Sequence, residues 1–530
     1  MPSDCISYQN SGYFSKLIVD YLNQEPKVQS FYHRFPTLEN FKLQMNEKAA
    51  NFRAENRTVL VAALKKQYKG FQISEATQQN LSLLENAKTF TITTGHQLNL
   101  FTGPLYFLYK IVSAINLAKQ LKTAYPDCNF VPIYWMATED HDFEEINYFY
   151  FRNKKIHWNR ESFGPVGRLS TEGLEDVFAV FSKELGAGTN AETLRHLFRK
   201  AYLEHSNLAD ATRFIANELF QKEGLVIVDG DDSDLKQLFV PYVKEELSQQ
   251  TSYQKVSETI KQLNDYTIQV KPREINLFYI ENNLRERIIF ENNTYKINNT
   301  ARVFSQAEII AEVENHPEKF SPNVILRPLY QEIILPNLCY IGGGGEIAYW
   351  LELKSNFEAF NVTFPVLLVR NSVLLAYQKQ ADKADALSLT WSDLFSKQAN
   401  LINKKTKELS EFNLDFSEQK QFLREQFEKL NAIAAQTDAS FSGAVKAQEA
   451  KQLKGLENLE KRLLKAEKKM HQERLERMVK LQNELFPNQS LQERKNNFSE
   501  FYLTEGEGLT TKLFEKLNPL SSEFSIIYLQ

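Results

Sequence analysis

Residues 90–94 read F-T-I-T-T, and the chain runs on through G-H-Q-L-N-L-F-T-G-P at 95–104 into a helical apolar pattern over 105–121. A second apolar run, F-V-P-I-Y-W-M, follows at 130–136. The first segment is short and β-branched, as strands are. Strand, glycine-bearing loop, helix and strand form a βαβ unit, which implies a parallel pair joined by a right-handed crossover. Further buried strands are read at 225–228 (L-V-I-V, ending at Asp229) and at 363–369 (T-F-P-V-L-L-V, then Arg370). A short strand is read at 148–151, a helix over 196–221, and strands with turns over 266–290. Such alternation points to a Rossmann-like α/β core.

At 530 residues the chain is too long for one core, so two or three units are expected. Residues 1–86 read as helical, with apolar spacing over 13–22 and 58–65. Near residue 380 strand signals stop and polar helices begin at 390–409, 416–436 and 440–486. In the last, Leu456, Leu459, Leu463, Ala466 and Met470 form a narrow coiled-coil-like seam; it slips and resumes at Leu475, Met478, Leu481 and Leu485. The 11 Lys/Arg against 6 Glu over 445–480 read as a solvated helix face. A net charge of −4 gives no electrostatic case for nucleic acid or anionic membrane. Three distant cysteines leave no disulfide framework and no C-x-x-C metal site, which suits a reducing cytoplasm. No apolar run reaches the length of a spanning helix, and no signal peptide is read at the start.

Three constellations can carry chemistry. Gly95 lets the backbone turn after its strand, and the following helix offers unpaired N–H groups, a natural phosphate site. His96, Gln97, Asn99, Thr102 and Gly103 join Gly95 as candidate nucleotide or phosphate ligands; a purely structural turn is the alternative. The second is E-D-H-D-F-E-E-I-N at 139–147, costly charge placed directly after a buried strand. Asp140 and Asp142 could hold Mg²⁺, His141 could serve as a general base beside Glu139, and Glu145 and Asn147 could orient a polar substrate. No H-E-x-x-H is present, which disfavours a zinc hydrolase. The third joins Arg327 to Gly342, Gly343, Gly344 and Gly345, read as a two-pronged anion ligand and a backbone cradle. A surface salt bridge and a flexible linker are the bland alternatives; Cys339 reads as packed rather than nucleophilic.

Taken together, T-T-G-H-Q-L-N-L-F-T-G-P-L-Y at 93–106, V-P-I-Y-W-M-A-T-E-D-H-D-F-E-E-I-N at 131–147, N-L-F-Y at 276–279, R-P-L-Y-Q-E-I-I-L-P at 327–336 and G-G-G-G-E-I-A-Y-W-L-E-L-K at 342–354 resemble the BshC family, the cysteine-adding enzymes of bacillithiol biosynthesis. The resemblance implies a nucleotidylyl-transferase-type core with inserted connecting segments and a helical coiled-coil domain used for homodimerisation. The expected division is an N-terminal helical segment 1–86, a catalytic core 87–380 with insertions near 155–225 and 265–325, a coiled coil 381–490, and a segment 491–530 returning to the core. The implied reaction joins the carboxylate of cysteine to the amine of glucosaminyl malate, with ATP as the source of driving force. The T-G-H-Q loop sits where related folds carry their H-I-G-H signature. Asn276, Gln331, Glu346, Tyr349 and Trp350 lie in the shared motifs and are expected at the substrate. Two other readings stay open: a nucleotide-binding scaffold whose helical tail recruits a partner, and a metal-dependent hydrolase.

Overall fold

The first βαβ unit consists of β1 (Thr89–His96), α1 (Tyr106–Ala124) and β2 (Asn129–Met136). The computed structural model describes residues 4–530. Along the chain follow β3 (Val226–Asp229), α2 (Ser233–Gln249), α3 (Arg327–Ile334), β4 (Asn337–Gly342), α4 (Gly344–Trp350) and β5 (Val366–Val369). The five strands form one parallel sheet of order β5-β4-β1-β2-β3, a Rossmann-like arrangement. β1 is buried at every position and β2 at all but its first, with no alternation, as a sheet covered on both faces requires. Phe90 and Ile92 of β1 pack with Ala114, Leu117 and Leu121 of α1, and with Leu338, Ile341, Val366 and Leu368 of the neighbouring strands. Cys339 belongs to that same apolar cluster. Strand order reverses between β1 and β4, the point where a crevice opens at the carboxyl ends in such sheets.

An antiparallel sheet of Leu277–Glu281, Leu284–Glu291, Thr294–Ile297, Val303–Phe304 and Phe320–Pro322 is inserted before α3. The helix read over 196–221 is two helices, Thr189–Leu203 and Leu208–Phe220. Asn207 breaks it: its side chain accepts the Asp210 N–H and caps the second helix. Compactness divides the described residues into 4–375 with 491–530, and 376–490. Within the first unit, Asp4–Ser7 pairs antiparallel with Glu523–Leu529, so the chain end returns to the core.

The second unit is helical, with its longest helices at Ser417–Ala434, Ala439–Met470 and Gln472–Leu485. The slip in the seam coincides with a break at His471. Beyond it Leu475, Met478, Leu481 and Leu485 are buried; before it Leu459 is 52% and Met470 78% exposed. Among the described residues no helix is long and apolar enough to cross a membrane.

Candidate functional site

A cavity of about 720 Å³ lies at the carboxyl ends of β1, β2 and β4. The core contributes Gly95, His96 and Gln97, the turn 136–140, Tyr106 and Lys110 of α1, and Arg327 of α3. Glu346 and Tyr349 of α4 and Arg370 after β5 complete that side. The inserted sheet supplies Phe278, Arg285 and Arg287, its leading loop Lys271 and Arg273, and the returning C-terminal segment Arg494. Eight Lys/Arg thus face three carboxylates, Glu139, Asp140 and Glu346, so the cavity suits a polyanion although the chain is net acidic.

The β1 end is built by close approach. A Cβ on Gly95 would stand 3.2 Å from the Tyr340 hydroxyl, and the Gly95 carbonyl accepts from Lys110 Nζ at 2.6 Å. Lys110 also pairs with Glu346 at 2.6 Å, and Glu346 accepts from the Tyr340 hydroxyl at 2.9 Å and the Gly343 N–H at 2.8 Å. Burial would raise the Glu346 carboxyl, but Lys110 and these donors outweigh it and hold it low. His96 is buried with its Nε2 unpartnered. Burial first, then the charges of Lys110 and Arg370, hold the imidazole well below its ordinary value, so the ring is neutral.

Two residues of the acidic cluster line the cavity. Glu139 pairs with Lys236 of α2 at 2.7 Å, and Lys236 also meets Asp231 at 3.1 Å. Burial pushes the Glu139 carboxyl up despite Lys236. Its neighbour moves the other way. Burial would raise Asp140, but the His141 side chain, Gln97 Nε2 at 3.0 Å, the Arg285 charge and the His141 N–H at 2.7 Å hold it well below the carboxylate range. His141, Asp142 and Glu145 stand outside the wall. Arg285 Nη1 meets His141 Nδ1 at 2.6 Å, and the same nitrogen lies 3.6 Å from Asp140 Oδ1. Glu145 accepts from Gln97 at 2.8 Å.

Arg327 faces the cavity from an aromatic cage of Trp135, Tyr340 and Trp350, with its guanidinium 5.5–6.0 Å from the ring centres. Its Nη1 donates to Gln331 at 3.0 Å, so Gln331 aims it from behind. Trp350 is likewise buried behind Tyr340, stacked at 4.4 Å. The glycine run departs from the expected cradle. Gly343 and Gly345 line the cavity, but the Gly343 N–H is taken by Glu346, Gly344 faces Phe14, and Gly342 leaves room for Glu346.

The far half of the T-G-H-Q loop does not reach the cavity. Phe101 packs among Phe149, Phe181, Phe198 and Phe498. Gly103, at φ 61° and ψ −131°, takes a conformation open to glycine, with Asn99 Cβ 2.6 Å from where its own would be. Thr102 is buried with that turn. Nor does α1 offer the expected phosphate site: the N–H groups of Leu105, Phe107 and Leu108 bond the carbonyls of Asn496, Pro104 and Leu105. Asn276 bonds Glu246, Arg273 and Asn323 and shapes the loop beneath the inserted sheet, while Asn147 is buried away from the cavity. Lys110, Arg285, Arg370 and Arg494 carried no motif in the sequence; lysine in the apolar stripe of α1 and arginine directly after β5 are the signals that mark two of them.

The donors fit a polyphosphate or polycarboxylate, since among the described residues the buried Arg370 Nε lacks a partner and seven further cations line the same cavity. They do not fit Mg²⁺ on Asp140 and Asp142: Asp142 is exposed outside the wall, and the Asp140 oxygens already accept two donors. Among the described residues no three His, Cys, Asp or Glu side chains gather as metal ligands.

A family model described as bacillithiol biosynthesis BshC, N-terminal Rossmann-like domain, matches residues 1–371, and one described as bacillithiol biosynthesis BshC, C-terminal coiled-coil domain, matches 373–529. A Flavobacterium johnsoniae protein named "Putative cysteine ligase BshC" is 66% identical over 99% of this chain and 100% of its own. Proteins of the same name from Christiangramia forsetii and Bacillus cereus are 56% and 30% identical, over 99% and 94% of this chain and 99% and 95% of theirs.

Proposed function

The chain belongs to the BshC family, and from that premise we propose that its cavity joins the carboxylate of cysteine to the amine of glucosaminyl malate, the ligase step of bacillithiol biosynthesis. The observation that carries the reading is the pair Glu139 and Asp140, pushed in opposite directions within one cation-lined cavity. Amide formation needs anion binding, an activated acyl group and a base for the amine. Asp140, held ionised, attracts the substrate ammonium. Glu139, whose carboxylate burial makes more basic, takes the proton the amine must lose and becomes the neutral acid. Arg327 binds a carboxylate through the guanidinium edge that Gln331 leaves free.

ATP, as co-substrate, would supply the acyl activation. The rim cations Lys271, Arg273 and Arg287, which form no ion pair among the described residues, would hold its phosphates. We read the protein as a cytoplasmic homodimer joined through the helical unit, whose seam before His471 leaves Leu459 and Met470 exposed. The test is direct: full-length protein with ATP, cysteine and glucosaminyl malate, analysed by mass spectrometry. Product at the mass of the amide supports the ligase; none at micromolar enzyme refutes it.

A further inference from the structure

We propose that Arg370 presents its Nε–H to an anionic group of a reactant, and that Glu493 is the positioning residue that aims it, so the C-terminal segment completes the binding site. This rests on the reading above that the cavity holds the reactants.

Arg370 follows β5 directly, and its backbone N–H donates to the Gly342 carbonyl at 2.8 Å, which fixes it beside the end of β4. It is 3% exposed, and the outer nitrogens of its guanidinium are occupied. Nη2 donates to Glu493 at 2.7 Å; Nη1 donates to Glu493 at 3.1 Å, to the Asn371 carbonyl at 2.9 Å and to Ser372 Oγ at 3.2 Å. Nε has no partner. A purely structural buried arginine satisfies its whole fork; this one is satisfied on the outer side and left open on the inner.

The open side adjoins the cavity. Arg370 lines it, and an atom built at the Cβ position of Gly343, another lining residue, would stand 3.7 Å from Nε. Tyr106 lies beside the guanidinium at 5.2 Å, and its ring meets His96 edge-on at 5.3 Å. Two buried residues with unpartnered nitrogens, Arg370 Nε and His96 Nε2, therefore flank one tyrosine in one wall. An unpaired charged donor out of water is costly unless a ligand meets it, and a carboxylate or phosphate oxygen is the group that does.

Glu493 is anchored for this task. It also accepts the Val373 N–H at 3.0 Å, and its neighbour Gln492 makes a two-way bond with the Leu375 backbone at 2.9 Å each. Three residues on, Asn496 accepts the Leu105 N–H at 2.8 Å, and Asn497 donates to the Phe101 and Gly103 carbonyls at 2.7 and 2.6 Å. Segment 492–497 thus straps the end of β5 to the loop after β1, while Arg494 lines the cavity from the same strap.

Arg370→Lys separates binding from folding, because lysine keeps a charge for Glu493 but gives up the second, inward donor. Binding of malate and of ATP to full-length wild type and variant is measured by calorimetry, alongside the melting temperature. The expected result is at least a tenfold weaker Kd for one anion, malate if the subsite takes a carboxylate and ATP if it takes a phosphate, with the melting temperature little changed. Glu493→Gln should raise the KM of the same reactant by threefold or more while kcat stays within twofold. Equal affinities for both anions in wild type and Arg370→Lys would overturn the proposal, as would a wild type that binds neither. An unmoved KM in Glu493→Gln would overturn the positioning role. Failure of the ligase reading shows separately, as absent product.

Discussion

Glu139 and Asp140 are adjacent in sequence and titrate apart because their surroundings differ. Burial dominates at Glu139, whereas donated hydrogen bonds and Arg285 dominate at Asp140. Pairs pushed apart in this way mark acid–base assignments. Asp140→Asn should weaken capture of the amine substrate, seen as a raised KM for glucosaminyl malate; an unchanged KM would remove Asp140 from the amine site. A second residue sets a pH dependence of stability. The Glu352 carboxyl is pushed up to about 7 by burial, against the N–H groups of Gln269 and Val270, on the segment that carries Lys271 and Arg273. Its folded value lies above the ordinary one, so its contribution is full below about 4.5 and is lost as pH rises toward 7. Thermal melting at pH 5 and pH 8 should show a smaller fall for Glu352→Gln than for wild type; parallel falls would contradict this. The sequence marked the cluster 139–147 but not which of its residues faces the cavity. That depends on residues 166–167, which donate to the Asp140 and Thr138 carbonyls at 2.7 and 2.8 Å, and no local pattern announces so distant a contact.

At the scale of elements, long apolar runs declared themselves. The strands read at 90–94, 130–135, 225–228 and 363–369 all lie in the central sheet, since parallel strands covered on both faces leave continuous apolar sequence. Short edge strands left little trace: Asp4–Ser7 and Phe320–Pro322 owe their form to partners far along the chain. The break at Asn207 was hidden by apolar spacing that continues across it, although Asn207 caps by bonds in both directions with Asp210 at 2.8 and 2.7 Å. Asn207→Ala should cost about 1 kcal/mol of stability, read from denaturant unfolding followed by far-UV circular dichroism. No measurable change would show that the neighbouring turns, not the cap, fix the break. The loss of a phosphate site at α1 is an element-scale matter as well: its leading N–H groups are bonded before any ligand arrives.

For the whole molecule, residues 376–490 form a unit of their own, and in the seam before His471 Leu459 and Met470 stand exposed. Replacing 381–490 by a short flexible linker should leave a soluble monomer by light scattering; a truncated protein that still dimerises would place the interface elsewhere. The return of the C-terminal segment means the unit that holds the cavity draws on both 4–375 and 491–530, so a chain ending near residue 371 would lack Glu493 and Arg494. The central claim is that this cavity makes the amide bond with Glu139 as the base. The most direct measurement is the rate of product formation from ATP, cysteine and glucosaminyl malate, by mass spectrometry, for full-length wild type and Glu139→Gln. The amide keeps the packing and leaves Lys236 its partner Asp231. Product from wild type and a rate on the order of 100-fold lower for Glu139→Gln are predicted; equal rates in the two proteins would contradict the account.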